Sequence, residues 1–326
     1  MKKIAVLLVL VVTFLSCNEG SKSNQRIVPK SSGNLYNVNV VIDNQLWKGQ
    51  VGDVVRDILT TVVPGLPQQE PMFDINQIPP QVFTGFATQN RIVLKVELGE
   101  PSDIKIANNP YAKPQKLIAV KGKDNADIIK VLKTNKEKIL ETFKNQEIKA
   151  RQALTLKSPH VNNNIEKVLG LTLKFPSAYR VAKEDGSFFW IRKNLTTGTN
   201  NFMVYPIPLE AINKEGDIIQ QVIKIRDSVG KKYIPGPIEG SYMKTEEAYT
   251  PFLFKTIIDN KPAFEVRSTW DIEGTYNAGP FLNYVIEDKI NNRYIVIEGF
   301  TFAPSVNKRD YVLELESIIK SLKINK

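Results

Sequence analysis

Lys261–Phe302 reads KPAFEVRSTWDIEGTYNAGPFLNYVIEDKINNRYIVIEGFTF. Three runs in it, Lys261–Glu273, Phe281–Asp288 and Arg293–Phe302, are rich in β-branched and aromatic residues. Such side chains pack well on a pleated surface, so each run reads as a long strand. Asp288–Asn292 (DKINN) supplies the hairpin loop between the last two. Side chains alternate across a strand with a period of two. In the first run this puts Phe264, Val266, Ser268, Trp270 and Ile272 on one face. Glu265, Arg267, Thr269, Asp271 and Glu273 line the other, which reads as the solvent face of a half-buried strand.

Upstream, Leu171–Phe175, Phe188–Arg192 and Asn201–Tyr205 read as shorter strands, with a turn at Thr196–Asn200 (TTGTN). Asp217–Val229 carries Ile218, Ile219, Val222, Ile223, Ile225 and Val229 at helical spacing, and Gly230 ends it. Arg309–Leu322 closes the chain as an amphipathic helix, with Val312, Leu315, Ile318, Ile319 and Leu322 inward. Hairpins flanked by helices give an α+β domain, a mainly antiparallel sheet with helices on one face. The order of elements is loosely similar to the PsbP/Mog1-type fold.

The preceding half has its own pattern. Val38–Ile42, Arg91–Leu98 and Leu117–Val120 read as strands. Gly52–Val63 has a helical stripe stopped by Pro64 and Gly65, and Asp124 or Asn125 caps a long helix reaching about Leu154. Gly65–Pro80 (GLPQQEPMFDINQIPP) is punctuated by Pro67, Pro71, Pro79 and Pro80, which favour an extended path. Ser158–Asn164 (SPHVNNN) lacks periodicity and reads as a boundary between domains 35–157 and 165–326. Both are expected to be α+β, each a mainly antiparallel sheet with packed helices.

Met1–Cys17 is MKKIAVLLVLVVTFLSC: two lysines, a short apolar run, Ser16, then the chain's single cysteine. That layout is a secretory signal of residues 1–16, cut between Ser16 and Cys17. A cysteine at the cut accepts a diacylglyceryl group, so Cys17 is the expected lipid anchor and residues 17–34 a flexible tether. The apolar run is shorter than the ~20 residues needed to cross a bilayer. Phe14 departs from the leucine usual in lipoprotein signals. Asn18 replaces the aspartate that retains lipoproteins at the inner membrane, and Glu19 is the only acid nearby. These features point to the outer membrane, periplasmic face.

The 326 residues are 42% apolar and 24% charged, with net charge +10. Lysine and arginine are dispersed, with no aromatic-interleaved basic patch, so nucleic acid is not an expected partner. The expected partners are a membrane, through the anchor, and envelope proteins or glycan. One cysteine excludes an internal disulfide. The single histidine, His160, falls in the expected linker and reads as a solvated loop residue, not a catalytic base. With one His and one Cys, a zinc or copper site is not expected. No phosphate-cradling glycine loop or calcium loop appears, and no cofactor is expected.

Two constellations remain. Asp271 and Glu273 lie next but one on a predicted strand, roughly 6.6 Å apart, a spacing open to a pair of glycosidase carboxylates. Trp47, Arg56, Gln68, Glu70 and Phe73 surround the proline-rich stretch. That loop reads either as a recognition surface or as a structural strap, with Arg56 paired to Glu70 and Trp47 packed beneath. The run VVIDNQLWKGQVGDVVRDILTTVVPGLPQQEPMFDINQIPP resembles the opening of an uncharacterised lipoprotein family of Bacteroidetes-type bacteria, a domain of unknown function. Asp43, Trp47, Gly49, Gly52, Arg56, Leu66, Pro67, Gln68, Glu70, Pro71, Phe73, Ile78 and Pro79 carry the resemblance. It implies an envelope location and no activity. The expectation is a non-catalytic envelope binding or assembly module; the alternative is a carboxylate-dependent hydrolase of envelope glycan or peptide.

Overall fold

The computed structural model describes residues 28–161 and 164–325. The expected signal peptide, its Ser16/Cys17 junction and most of the expected tether lie outside the described residues. Among the described residues, no helix is long and apolar enough to cross a membrane.

The first sheet begins with β1 (Asn37–Ile42). Two helices follow, α1 (Asn44–Lys48) and α2 (Gln50–Leu59). Asp43 caps the first by accepting from the Gln45 N–H at 2.7 Å. The chain continues through β2 (Asp74–Ile78), β3 (Ile92–Leu98), β4 (Ile104–Asn108) and β5 (Lys116–Gly122). Helices α3 (Asn125–Thr134) and α4 (Lys136–Thr155) follow, broken at Asn135 where one long helix was expected.

The strand order is β2-β1-β3-β5-β4. Here the expected antiparallel pairing is corrected: β1–β2, β1–β3 and β3–β5 are parallel, and only β4–β5 is antiparallel. Parallel neighbours need a crossover. Helices α1 and α2 provide one between β1 and β2.

The second half opens with α5 (Asn164–Leu169), β6 (Leu171–Thr172), β7 (Arg180–Asp185), β8 (Phe188–Leu195) and β9 (Gly198–Pro208). Next come α6 (Ile218–Tyr233), β10 (Met243–Thr245) and β11 (Phe252–Ile258). The three decisive strands are β12 (Lys261–Ile272), β13 (Ala278–Asp288) and β14 (Arg293–Phe302). Helix α7 (Arg309–Ile319) and β15 (Lys323–Ile324) end the chain. The eight-stranded sheet runs β10-β12-β13-β14-β9-β8-β7, with β11 also on β12, all antiparallel.

This sheet is covered on both faces, where helices on one face were expected. Val266, Trp270, Phe281, Val285 and Val296 pack with Ile218 and Val222 of α6. Leu282, Tyr284, Ile286, Ile295 and Ile297 pack with Val312, Leu315 and Ile319 of α7. The same apolar cluster continues into the first half through Val38, Val55, Phe73, Ile118 and Phe143. The two halves therefore share one core. The row expected to face solvent is corrected accordingly: Glu265, Arg267 and Thr269 are buried. Arg267 bonds Glu265, and donates to Glu316 of α7 at 2.8 Å.

Gly230 is also reassigned. It lies inside α6 and is not its terminator. A Cβ there would sit 2.2 Å from the Met243 carbonyl, so its role is to let β10 approach the helix.

Candidate functional site

The proline-rich stretch leaves α2 and runs against the second half. A Val62–Pro71 bridge closes it into a loop, with Val63 N–H donating to Glu70 O at 3.0 Å and Met72 N–H to Thr61 O at 2.9 Å. Gly65, at φ +83°, lies over Arg267, where a Cβ would be 2.7 Å from the arginine's own. The Tyr249 hydroxyl donates to Leu66 O at 3.1 Å.

Glu70 is the centre of this contact. It is 4% exposed, and its two carboxylate oxygens accept the N–H groups of Lys308 and Arg309 at 2.7 and 2.8 Å. Those are orphan donors at the N-terminus of α7, which has no cap from its own sequence neighbours. A carboxylate there is also favoured by the helix dipole. Gln68 accepts from Lys308 Nζ at 2.9 Å, and Arg309 grips Asp74 through both nitrogens at 3.1 and 2.9 Å. The loop is thus a strap, tied to the start of the last helix.

The expected Arg56–Glu70 pair is corrected. Arg56 lies over the Trp47 ring at 4.4 Å, donates to Trp47 O at 3.0 Å and pairs with Asp53 at 2.6 Å. Trp47 and Arg56 belong to the α1–α2 corner and not to the strap. Phe73 is fully buried, edge-on to Phe143 at 6.1 Å.

Asp271 and Glu273 have different surroundings. The strand ends at Ile272, so Glu273 belongs to the following turn, 68% exposed and 3.7 Å from Lys244. Asp271 is half-buried beside Glu246: burial, then the neighbouring Glu246 charge, pushes its carboxyl above the usual range. His160 is not a freely solvated loop residue. Its ring stacks on Phe175 at 4.7 Å, and burial lowers its pKa.

Between the strap and the end of the second sheet lies a cleft of about 430 Å³. Pro67, Gln68 and Lys308 form one wall; Tyr249, Trp270, Tyr276 and Phe302 give it an aromatic lining; Glu246 supplies a carboxylate. Thr269 Oγ1 and Trp270 Nε1, of two lining residues, are buried without a hydrogen-bond partner among the described residues. Tyr276 is fully exposed at the rim. Pro67, Gln68, Thr269 and Trp270 fall in stretches the sequence singles out, whereas Glu246, Tyr249, Tyr276 and Lys308 gave no sequence signal. Together they come from four separated segments, three joined through the second sheet and the fourth laid over it by the strap.

Such a two-sheet α+β architecture with a strapped cleft defines a class of protein, not an activity. The chain belongs to the family of domain of unknown function DUF4837, matched over residues 158–321. Residues 31–155 match a second domain of unknown function, DUF8532. No curated protein matches the chain. Among solved structures it is similar to the Ran-binding protein Mog1p of Saccharomyces cerevisiae, with 6% identity over 48% of this chain and 90% of that one, TM-score 0.33. It is also similar to LpqN of Mycobacterium tuberculosis, described as involved in cell envelope biogenesis, with 12% identity over 48% of this chain and 83% of that one, TM-score 0.28. Both likenesses are too distant to carry an argument about function.

Proposed function

We propose that this chain is an outer-membrane lipoprotein of Bacteroidetes-type bacteria, anchored at Cys17 on the periplasmic face, that binds an envelope partner without catalysis. The observation that carries the binding role is the cleft: aromatic walls and a few polar groups, assembled from both halves, are the usual make-up of a recognition site. The domain limits that go with this reading are 35–157 and 165–326, after a signal of residues 1–16 and a tether of residues 17–34. The test is a photo-crosslinking residue at Tyr276, at the rim of the cleft, in the full chain in its native membranes. A defined glycan or protein adduct that disappears in Cys17→Ala supports the reading. Absence of an adduct at 276, while a crosslinker at Phe252 on β11 captures one, removes the cleft from the reading.

One observation favours a second reading, a carboxylate-dependent hydrolase of envelope glycan or peptide. Glu246 lines the cleft, and beside its carboxylate stands Asp271, held protonated more readily than an ordinary aspartate. A protonated acid next to a carboxylate is the arrangement glycoside hydrolysis uses. Glu246→Gln and Asp271→Asn would then each abolish turnover of an envelope-glycan panel. Wild-type turnover that survives both substitutions, or no turnover at all in the wild type, dismisses the reading.

A further inference from the structure

The connection between β2 and β3, residues 79–91, carries apolar side chains that the fold does not use. Phe86 is 87% exposed and Val82 59%. Phe83, edge-on to Tyr111 at 5.6 Å, is the residue of this loop that packs on the sheet, over Val41, Val93 and Leu117. The loop is not loose. Buried Asn39 donates to Ala87 O at 3.1 Å, and buried Gln115 donates to Thr88 O and Asn90 O at 2.6 and 2.7 Å. Those bonds fix the backbone immediately after Phe86, on the side that leads into β3.

The N-terminal segment joins the fold at this same place. Ser32 N–H donates to Gln89 O at 3.0 Å, and Ser31 N–H to Lys113 O at 3.1 Å. Lys30 and Lys113, bridged side by side, are both exposed and without an ion-pair partner among the described residues. Cys17 stands thirteen residues before Lys30, which limits the distance between them to about 45 Å even if fully extended.

We propose that this loop is a membrane-seating wedge: Val82 and Phe86 enter the interface of an anionic bilayer, and Lys30 and Lys113 face its headgroups. The inference rests on the lipoprotein reading above. The observations agree on one occupant. The apolar tip, the unpaired cations and the point where the anchored segment joins the fold occupy one surface, and aromatic and basic side chains are the ones that favour a bilayer interface. The lipid supplies the affinity, so the wedge's contribution is orientation. It holds the first sheet against the membrane and so fixes how the cleft is presented.

The test uses Phe86→Cys in the full chain, processed in its host, purified and reconstituted into vesicles of phosphatidylethanolamine with phosphatidylglycerol. A nitroxide is attached, and its accessibility to oxygen and to a water-soluble nickel chelate is compared with the same label at Ile257→Cys, exposed on β11 of the second sheet. Cys17 is the only native thiol, so lipidation leaves one label per chain. The expected result is one label, with a higher oxygen-to-nickel ratio at 86 than at 257, repeated at Val82→Cys. One label with equal, water-like ratios at all three positions overturns the wedge and leaves the anchor standing. Two labels per chain show a free Cys17 and overturn the anchor, and the wedge with it. Dipolar broadening between labels at 86 places a second copy of the chain on the loop and overturns the bilayer as its occupant.

Discussion

Replacing Glu70 tests whether the strap holds the last helix. The carboxylate makes two bonds to backbone N–H groups, at 2.7 and 2.8 Å, and it is buried. A hydrogen bond to a charged group contributes about 1.5–3 kcal/mol, and loss of a helix cap costs ~1 kcal/mol. Glu70→Ala removes both acceptors and strands two donors at a buried helix end. Partial access of water to the space left lowers the total, so the expected loss is about 3 kcal/mol. Glu70→Gln keeps one acceptor oxygen and loses the charge, for an expected loss of about half that. Urea denaturation of the full chain, followed by far-UV circular dichroism, reads both. Because one apolar cluster runs through both halves, each variant unfolds in a single transition with an unchanged slope. An alanine variant within about 0.5 kcal/mol of wild type, the range of an ordinary surface change, would refute the strap's role. So would separate transitions for the two halves.

The buried charges give further expectations. Burial alone would raise the Glu316 carboxyl, but Lys144, Arg267 and Lys320 around it hold it well below the usual carboxylate range. A depressed carboxylate stabilises above its unfolded pKa, ~4.3, and that stabilisation is lost as pH falls through the folded value. Glu316→Gln therefore costs about 3–5 kcal/mol at neutral pH and flattens the acid side of the stability profile. An unchanged acid slope contradicts this. On the opposite face, Arg226 and Glu298 are both fully buried and 3.0 Å apart, with Arg226 over Phe281 at 4.0 Å. Glu298→Leu alone costs about 3–5 kcal/mol, whereas Arg226→Met with Glu298→Leu recovers most of it; additive losses in denaturant melts would show the two are not coupled. Finally, Gly52→Ala lowers the melting temperature although alanine favours helices by ~1 kcal/mol, because its Cβ would lie 1.9 Å from the Trp47 carbonyl. A raised melting temperature would contradict the close packing of α1 on α2.

The α+β class, the long strands β12 to β14 and helices α6 and α7 were legible because their signals are local. Alternation and helical spacing are set by residues within a few positions of each other. The proline-rich stretch was equally legible as a rigid extended segment, since each proline restricts its own backbone and its neighbour's. What that segment touches was not legible. Glu70 meets residues 308 and 309 across 238 and 239 positions of sequence, and nothing near it in sequence announces a helix end in need of a cap. The row from Glu265 to Thr269 read as a solvent face because alternating polarity looks the same whether water or a buried counter-charge satisfies it. Only the seating of α7, carrying Glu316, decided for the counter-charge. The parallel pairing of the first sheet and the cleft beside Trp270 depend likewise on segments far apart in sequence. Local residue order determines which elements form. Partner choice between them is a property of the shared core, where burying one apolar cluster selects which distant charges must meet.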